Sequence, residues 1–478
     1  MTETPYDIIT IGAGSGGLSV GLAMNKLGFN VLMIAKSDKY IGGDCLNDGC
    51  VPSKALIHVS RIVHNAKQSM EFGLNITGKA DIQKAIAYVY QRQEIIRNHE
   101  NSKWLNEQGI DVALGEAKFA GKNEVEVNGK IYTGKNIVIA TGSKPRKLNV
   151  PGIENVQYFD NDNIFYADSL PEKILVIGGG PIGIEIAQAL RRFGKEVAVV
   201  HHGSMILEHD DERVTSVLLK QLEQEGIRFL FNAEVEKFDS ATEALVKLKN
   251  GERKHLLFDA IFVGIGRELQ LEPLQLQNAG IEVKNKKIVL NEFLQTTNKN
   301  VFACGDVAGD LVFSHAAEFH ARILINNFLS PLKKKLNNDY LSWVSFTDPE
   351  IATFGLNEKQ LKDRHIKYER LEQDFKEDDR AVVDNYQYGK IILYISTGNI
   401  FKKEKILGGT MVAPHAGELI QELILTNTER LSVNTIFNKI YPYPVASRIN
   451  QNIISKHKEK RLTGSLKKLL KVAYKLFG

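Results

Sequence analysis

Residues 42–54 have the sequence GGDCLNDGCVPSK and contain two of the three cysteines of this 478-residue chain. Four residues separate Cys45 from Cys50. This spacing fits two kinds of site, a redox dithiol and half of a metal site. A zinc site needs four ligands, and no second cluster of cysteine and histidine at ligand spacing occurs in the sequence. The pattern therefore favours a redox dithiol, and we predict no metal site.

A glycine-rich loop precedes this stretch. Tyr6–Ile11 is a short apolar run typical of a buried strand, and GAGSGG at residues 12–17 follows it and opens a helical pattern. In this context the spacing GxGxxG predicts a dinucleotide-binding loop. Gly12 allows a tight turn, Gly14 lets a pyrophosphate approach the backbone, and Gly17 allows close packing of helix on strand.

The same pattern recurs near the middle of the chain. An apolar run at Lys173–Ile177 leads into GGGPIG at residues 178–183, which again opens a helical pattern. Gly178, Gly180 and Gly183 occupy the three glycine positions. Two strand–loop–helix units predict two bound dinucleotides, a flavin and a nicotinamide, on an α/β fold with two Rossmann-like domains.

The residue at the end of the strand that follows each glycine loop and its helix helps to determine which dinucleotide binds. An acidic residue there normally holds a ribose hydroxyl. The first unit has Ala35 instead, with Lys36 and Asp38 as candidates to compensate. The second unit has His201 and His202 instead. Neither carries the negative charge that would repel a 2′-phosphate, and both imidazoles can donate a hydrogen bond to it. This favours NADPH over NADH at His201, and the alternative of two surface histidines stays open.

The residues after the cysteine pair predict a thiolate. Residues 53–66 have helical periodicity, and a helix that begins near Gly49 places Cys50 at its N-terminus. The positive end of the helix dipole lowers the pKa of a thiol in that position. Lys54 adds positive charge one turn later, unless it is simply a solvated helix lysine.

Bulk composition narrows the class of protein. The hydrophobic fraction of 43% and charged fraction of 25% are ordinary for a globular protein, and a net charge of +4 is too small to indicate a nucleic-acid partner. Three cysteines do not make a disulfide scaffold, and one thiol pair suits a reducing compartment, so we predict a cytoplasmic protein. Cys304 is interpreted as a small buried residue. No run reaches the roughly 18 apolar residues that span a bilayer.

The tail at residues 464–478 has a different character. Leucine, tyrosine and phenylalanine recur at spacings of 3 and 4, and the lysines fall mainly on the other side. This pattern is typical of a helix in the interface of an anionic membrane. A terminal helix docked on the protein with a solvated lysine face is the alternative, and the sequence leaves both open.

Together these motifs identify a resemblance. The chain resembles the flavoprotein disulfide reductases, the class I pyridine nucleotide-disulfide oxidoreductases that include dihydrolipoamide dehydrogenase, glutathione reductase and mercuric reductase, over about residues 5 to 450. Asp44 and the Tyr-Pro-Tyr-Pro segment at 441–444 look closest to the mercuric-reductase-like branch. The remaining matches are the two glycine loops, the cysteine stretch, Ala140-Thr141-Gly142, Gly264-Ile265-Gly266-Arg267, Cys304-Gly305-Asp306, residues 347–350 and residues 408–418.

The resemblance implies a domain order and an assembly. It places an FAD-binding domain in residues 1–150, an NAD(P)H-binding domain in 151–270 and a return to the FAD side in 271–340. Alternating strands and helices without a nucleotide loop form an α+β dimerisation domain in 341–452, followed by the basic amphipathic tail in 453–478. The implied assembly is a homodimer.

The resemblance also implies roles for particular residues. Hydride passes from NADPH or NADH to FAD and then to the Cys45–Cys50 disulfide. Cys50 is the sulfur beside the flavin, and Cys45 is the exchange sulfur that faces the acceptor. Lys54 and Glu185 match the family's ion pair, and Asp306 contacts the flavin ribitol. The other predicted or implied cofactor-binding positions are Gly12, Gly14, Gly17, Gly43, Asp44, Thr141, Gly142, Gly178, Gly180, Gly183, His201, Gly266 and His315.

Two positions depart from the disulfide-exchanging members. Those have a histidine before the last proline of the C-terminal motif and a glutamate five residues later, and the pair moves the thiol proton. Here these positions hold Tyr443 and Arg448. A tyrosine with an ordinary pKa near about 10 is a poor base at neutral pH. Mercuric reductase is similar at Tyr443 but carries a further C-terminal cysteine pair, and this chain has no cysteine after Cys304.

The preferred function is an FAD-dependent NAD(P)H oxidoreductase that uses Cys45 and Cys50 to reduce a soft metal ion or a small disulfide. Three alternatives stay open. They are a quinone or diaphorase-type reductase in which the dithiol is not essential, an activity like that of dihydrolipoamide dehydrogenase, and a non-catalytic flavoprotein subunit.

Overall fold

The computed structural model describes residues 5–309, 312–398 and 403–477. The chain divides into two compact units, the first made of Met1–Ser204 with Gly226–Asn337 and the second of Met205–Glu225 with Asn338–Gly478. Residues 205–225 thus belong with the C-terminal unit, although they lie inside the predicted 151–270 domain. The other predicted domain boundaries stay a prediction.

Each unit contains both strands and helices. In chain order, the strands are β1 Tyr6–Ile11, β2 Val31–Ala35, β3 Asp111–Leu114, β4 Ala117–Gly121, β5 Glu124–Val127, β6 Lys130–Ile139, β7 Lys144–Pro145, β8 Tyr158–Phe159, β9 Lys173–Ile177, β10 Glu196–Val200, β11 Arg228–Leu230, β12 Ala233–Ser240, β13 Glu243–Leu248, β14 Arg253–Leu257, β15 Ala260–Val263, β16 Arg267–Glu268, β17 Val283–Lys284, β18 Lys287–Ile288, β19 Val301–Ala303, β20 Ser342–Ser345, β21 Glu350–Gly355, β22 Tyr368–Asp374, β23 Lys390–Ser396 and β24 Ile406–Ala413. The helices are α1 Ser15–Lys26, α2 Gly43–Asn47, α3 Cys50–Gln68, α4 Ile82–Arg97, α5 Ser102–Glu107, α6 Pro181–Arg192, α7 Glu212–Gln224, α8 Ser314–Leu329, α9 Glu358–Asp363, α10 Asp379–Val383, α11 Ala416–Leu419, α12 Gln421–Thr428, α13 Asn434–Phe437, α14 Ile449–Lys460 and α15 Gly464–Phe477.

The first unit contains two nucleotide-type sheets. In one, β3, β2, β1 and β6 are neighbours in that order, and β19 also pairs with β6. The pairs β1–β2, β1–β6 and β6–β19 are parallel. In the other, β11, β10, β9, β15 and β8 are neighbours, again with parallel pairing. β2 and β15 are buried along their whole length, as expected of strands covered on both faces.

The second unit is built on an antiparallel sheet in the order β20, β21, β24, β23, β22. Its apolar core includes Ile453 and Ile454 of α14. This helix therefore crosses the predicted boundary at 452/453, because these side chains hold it against the sheet domain. In the part of the chain that the structure describes, no helix is both long and apolar enough to cross a membrane.

Candidate active site

The first glycine loop fits a dinucleotide. Gly12 has φ +111°, and a Cβ there would lie 2.2 Å from the Ala140 carbonyl oxygen, while a Cβ on Gly17 would lie 1.9 Å from the Gly12 carbonyl oxygen. Only glycine allows this turn and this approach of α1 to β1. A Cβ on Gly14 would stand 3.5 Å from Gly43 Cα. The first turn of α1 carries no acidic residue and no side-chain cap, so its backbone N–H groups suit a phosphate.

The second loop repeats this geometry. A Cβ on Gly178 would lie 2.2 Å from the Gly264 carbonyl oxygen, and one on Gly183 would lie 2.3 Å from the Gly178 carbonyl oxygen. Beside Gly180 no atom would lie within 4 Å of a Cβ, which leaves the space that a pyrophosphate needs. His201 is buried against this loop, and its Nδ1 accepts a hydrogen bond of 3.0 Å from the Gly179 N–H. His202 is exposed.

The cysteine stretch lies directly on the first loop. The Gly42 N–H donates to the Ala13 carbonyl over 2.9 Å. Gly43 has φ +62°, and a Cβ there would lie 2.6 Å from Gly14 Cα. Contact of backbone with backbone therefore requires glycine at Gly43. It ties the start of α2, and with it Cys45, to the loop that would hold the FAD pyrophosphate.

A buried polar network fastens the segment between the two cysteines. Asn47 donates to the Gly43 carbonyl over 2.8 Å, and its side-chain oxygen accepts from Arg97 over 2.8 Å. The Gln93 amide, also on α4, donates to the carbonyls of Leu46 at 2.9 Å and Asn47 at 2.7 Å. Leu46, Asn47 and Gln93 are buried, so the two Gln93 bonds satisfy backbone carbonyls that would otherwise lose their water.

The two cysteines are free thiols with opposite tendencies to ionise. Cys50 is the first residue of α3, and its Sγ lies 3.3 Å from Ser314 Oγ. The hydrogen bond from Cys45 lowers the pKa of Cys50 to about 6, with help from Ser314 and Lys54 and against the effect of burial. The hydrogen bond to Cys50 and burial raise the pKa of Cys45. The pair therefore holds one negative charge on Cys50 and one proton on Cys45.

Lys54 and Glu185 form the ion pair that the resemblance implies. Lys54 Nζ lies 2.8 Å from Glu185 Oε2, and the Glu185 side chain is only 3% exposed. Lys54 is on α3 and Glu185 on α6, so the contact links the cysteine helix to the helix after the second loop. It also places a positive charge one turn from Cys50.

A second ionic group surrounds Asp306. Its Oδ2 accepts from the Ser143 hydroxyl over 2.5 Å and lies 3.7 Å from Arg267 Nε. Arg267 Nη2 donates to Asp44 Oδ1 over 2.9 Å. Burial lowers the pKa of Arg267, but the carboxylates of Asp44 and Asp306 outweigh it and raise the value above the ordinary one. Arg267 thus joins the acid beside Cys45 to the acid predicted at the ribitol.

Three acids meet near Cys45. Oxygen atoms of Asp44, Asp48 and Asp162 all lie within 4.8 Å of one another. Burial, with the charges of Asp162 and Asp44, raises the pKa of Asp48 to about 6. Arg267 and Lys144, which lies 3.5 Å from Asp162, offset part of this negative charge.

Other predicted cofactor-binding residues lie as follows. Thr141 is exposed next to Gly142, which has φ +67°, and Gly266 has φ +102°. His315 is exposed, and its ring stacks on Phe313 at 5.3 Å between centroids. Its neighbour Ser314 is the residue that reaches Cys50.

The candidates to compensate for Ala35 are engaged by the protein itself. Lys36 Nζ lies 2.8 Å from Glu116, and Asp38 accepts from the Ser102 N–H over 2.7 Å. Cys304 is 1% exposed, and burial raises its pKa to about 12, in keeping with a small core residue.

Tyr443 and Arg448 lie in the second unit. The Tyr443 hydroxyl donates to Asp379 Oδ2 over 3.2 Å, and the side chain is 68% exposed. The Arg448 guanidinium lies over the Tyr443 ring at 5.5 Å from its centroid. The pair makes contacts of its own and contains no carboxylate or imidazole that could act as a base near neutral pH.

Comparison with known proteins identifies the family. The pyridine nucleotide-disulphide oxidoreductase model matches residues 6–321, and the dimerisation-domain model of the same family matches residues 341–453. The chain belongs to the pyridine nucleotide-disulphide oxidoreductases. The predicted α/β fold with its C-terminal dimerisation domain and the flavoprotein disulfide reductase resemblance are confirmed. The chain is therefore an NAD(P)H-dependent flavoprotein oxidoreductase that uses FAD.

Individual members show how much of the chain the likeness covers. The mercuric reductase of Lysinibacillus sphaericus is 30% identical over 93% of this chain and 81% of its own length. The dihydrolipoyl dehydrogenase of Mycoplasma genitalium is 31% identical over 94% of this chain and 98% of its own. A solved structure of the HOCl-induced flavoprotein disulfide reductase RclA from Escherichia coli has a TM-score of 0.82 at 25% identity, covering 94% of this chain and 99% of RclA.

Several contributors to this oxidoreductase site were not found from the sequence. Ser314 and Gln93 lie in segments without a motif. Asn47 lies within the cysteine stretch and Ser143 follows the Ala140-Thr141-Gly142 match, but nothing in the sequence marked their side chains as part of the site. Arg267 did carry a signal, since it ends the Gly-Ile-Gly-Arg match, but its charged partners are distant in sequence.

Replacing Ser314 by alanine is expected to raise the pKa of Cys50. A hydrogen bond to a charged group is worth about 1.5–3 kcal/mol, which corresponds to about one to two pKa units. The pKa of Cys50 in the folded protein lies below the ordinary value of 9.0. The thiolate therefore stabilises the reduced protein fully above about pH 9, and this contribution is lost as the pH falls through about 6. In the Ala variant this contribution is smaller, and its loss is complete at a higher pH.

The measurement is a pH titration of ultraviolet thiolate absorbance on the reduced enzyme. Ser314→Thr is the matched control, because it keeps the hydroxyl and should titrate near wild type. Identical midpoints for wild type and Ser314→Ala would show that the hydroxyl does not act on Cys50.

Lys54→Met is expected to destabilise the folded enzyme by about 2–4 kcal/mol. The variant removes the ammonium group that lies 2.8 Å from the buried Glu185 carboxylate, and losing one partner of a buried ion pair is costly. Lys54→Met/Glu185→Leu removes both charges and should recover much of the loss. Thermal unfolding of the four members of this double-mutant cycle measures the coupling. If the loss in the double variant equals the sum of the two single losses, the pair makes no coupled contribution to stability.

Proposed function

We propose that this oxidoreductase passes two electrons from NADPH through FAD and the Cys45–Cys50 pair to a soft metal ion, with a small disulfide as the second acceptor class. The observation that carries the proposal is the uneven sharing of charge and proton between the two sulfurs. Bound FAD would supply the electron pair that it takes from the nicotinamide as hydride. The residues that would hold it are the glycines of the first loop and Asp306.

The sulfur pair suits a soft cation. A thiolate and an adjacent thiol provide two soft ligands, and Asp44 and Asp162 place negative charge beside them. When a metal ion is the acceptor, the electrons and protons balance without a further reactant. Two electrons leave the sulfurs, the Cys45–Cys50 disulfide forms, the Cys45 proton goes to solvent, and one ion gains two electrons or two ions gain one each.

The residue at position 443, a tyrosine, favours a metal ion over a small disulfide as the electron acceptor. Reduction of a disulfide acceptor requires Cys45 to lose its proton before it attacks, and the leaving sulfur must gain one. The raised pKa of Cys45 makes that loss difficult without a base. At position 443 the family's histidine is replaced by a phenol bonded to Asp379. A metal ion lowers the pKa of a coordinating thiol directly and so needs no base.

For the nucleotide we propose NADPH. The strand β10 ends at His201 and His202 without an acid, so the site lacks the carboxylate that selects the free ribose of NAD. Because His201 Nδ1 accepts from Gly179, its ring proton is assigned to Nε2, which makes that nitrogen a donor. His202 adds a second imidazole beside the buried His201, and the His202 ring is exposed.

The assembly and location are part of the same proposal. The dimerisation-domain match at residues 341–453 supports a homodimer. A thiol pair that must cycle through its reduced form suits the cytoplasm, where the compartment keeps thiols reduced.

The test is an acceptor panel with the FAD-loaded enzyme under NADPH and NADH. The probes are Cu(II), Hg(II), glutathione disulfide, lipoamide and a soluble quinone; Cu(II) is included because RclA from Escherichia coli has been solved as a Cu(II) complex. We expect a higher kcat/KM with NADPH, turnover of a metal ion, and its loss in Cys45→Ser. Quinone turnover that survives Cys45→Ser while metal turnover is absent would instead establish a diaphorase. Fast lipoamide turnover would point to a dihydrolipoamide dehydrogenase activity.

A further inference from the structure

The C-terminal helix α15 is a separate element with its own cap. It spans Gly464–Phe477, and the Thr463 hydroxyl accepts a hydrogen bond of 3.3 Å from the Leu466 N–H. A threonine that caps the third helical N–H is a normal helix start. The dimerisation-domain model ends at residue 453, so α15 lies beyond the region that defines the family.

The two faces of α15 are separated in charge. At about 100° per residue, the four lysines fall within an arc of about 100°, and the apolar residues fill an opposite arc of about 200°. Residues 464–477 contain no aspartate or glutamate. The lysines are Lys467, Lys468, Lys471 and Lys475, and the apolar residues are Leu466, Leu469, Leu470, Val472, Ala473, Tyr474, Leu476 and Phe477.

The apolar face of α15 is not covered by any of the residues that the structure describes. None of the residues of α15 is buried, and exposure reaches 63% at Leu469, 70% at Leu476 and 89% at Phe477. The sequence leaves open a helix docked on its own protein. In the described residues that alternative is not observed, and a contiguous apolar face of this kind marks an interaction surface.

We propose that α15 lies flat in the interface of an anionic membrane, with its apolar arc in the acyl region and its lysines among the headgroups. The width of the arc favours a lipid surface over a protein groove. A helix that sinks to about half its depth in the interface buries about half of its circumference, whereas core-facing helices bury a narrower stripe. Anionic headgroups also complement a face whose charges are all lysines.

The length of α15 sets its orientation. Fourteen residues at about 1.5 Å per residue extend about 21 Å, which is shorter than the roughly 30 Å hydrocarbon core. The helix therefore lies in the plane of the interface and anchors the enzyme reversibly. This inference does not depend on the proposed acceptor, since the cysteine pair and both glycine loops lie in the other unit.

The test is co-sedimentation of the full-length FAD-loaded enzyme with vesicles of phosphatidylglycerol and phosphatidylcholine, and with vesicles of phosphatidylcholine alone. The truncated variant must end at Leu462, because α14 carries the buried Ile453 and Ile454 and has to be kept. We expect the full chain to sediment with the anionic vesicles at low salt and to be released by high salt. The truncated chain should stay in solution with unchanged turnover.

Two double variants separate charge from apolar contact. Lys468→Gln/Lys471→Gln should weaken binding to anionic vesicles by about 20- to 30-fold, or about fivefold per lysine. Leu469→Gln/Leu476→Gln should abolish sedimentation while keeping the charge. Lys249→Gln/Lys299→Gln, which removes two exposed lysines elsewhere, is the matched control and should bind like wild type.

Two results would overturn the proposal. One is equal sedimentation of the full-length and truncated chains. The other is an absence of vesicle binding together with a smaller oligomer for the truncated chain in size-exclusion chromatography, which would assign α15 to contact with a second copy. If the wild-type enzyme binds anionic vesicles but does not turn over a metal ion, the proposed function is wrong and the inference about α15 stands.

Discussion

Cys50→Ser is expected to lower turnover of the acceptor by about a thousandfold or more, as is common when a covalent catalyst loses its reactive group. The physical reason is that Cys50 carries the charge of the pair, with a pKa lowered to about 6. Without it neither the disulfide nor its thiolate can form. Stopped-flow reduction by NADPH should show no long-wavelength thiolate–flavin band in this variant.

Cys45→Ser is the matched control for this experiment. It should also lose acceptor turnover, but Cys50 remains beside Ser314 and Lys54 and cannot be oxidised to the disulfide. The long-wavelength band should therefore be present before any reductant is added. A band of equal strength in Cys50→Ser and wild type would refute the assignment of Cys50 as the flavin-side thiolate.

Tyr443→His/Arg448→Glu is expected to raise turnover of a small disulfide by about 100-fold, toward the lower end of what general acid–base catalysis contributes. The double variant restores an imidazole and a carboxylate at the two positions where this chain departs from the disulfide-exchanging members. In the disulfide-exchanging members this pair moves the thiol proton, and the raised pKa of Cys45 makes that proton difficult to remove without a base. Turnover of a metal ion should change little, because that step needs no base.

The measurement is kcat/KM for glutathione disulfide and lipoamide as a function of pH. The gain should appear as the new imidazole loses its proton, near about pH 6–7. Tyr443→Phe serves as the control, since it removes the hydroxyl bond to Asp379 without adding a base. If the double variant matches Tyr443→Phe at every pH, a missing base is not what limits disulfide turnover.

The glycine loops and the start of α3 were predictable because they depend on neighbours in sequence. Gly12 and Gly178 adopt φ values of +111° and +116°, as the tight turns require. Asn128 and Gly129, which join the antiparallel strands β5 and β6, likewise both have positive φ. In each case local backbone geometry restricts the residue type strongly enough to leave a pattern.

The side chains that contact the cysteine stretch from distant parts of the sequence were not predictable in the same way. Ser314 lies 264 positions from Cys50, and Arg267 lies 223 positions from Asp44. Gln93 reaches back 46 positions to the Asn47 carbonyl. Serine, glutamine and arginine are common on protein surfaces, so their types alone did not distinguish them from solvated residues.

The signals for the family, for the two glycine loops and for the candidate redox pair were thus contained in short segments, since tight turns and a helix N-terminus are local. The sequence already predicted the thiolate at Cys50, and the tertiary structure added two groups that lower its pKa, the Cys45 thiol and Ser314. The tertiary structure also decided that α15 leaves its apolar face uncovered. An amphipathic pattern shows which face is apolar, and only the packing of the rest of the chain shows whether that face is covered.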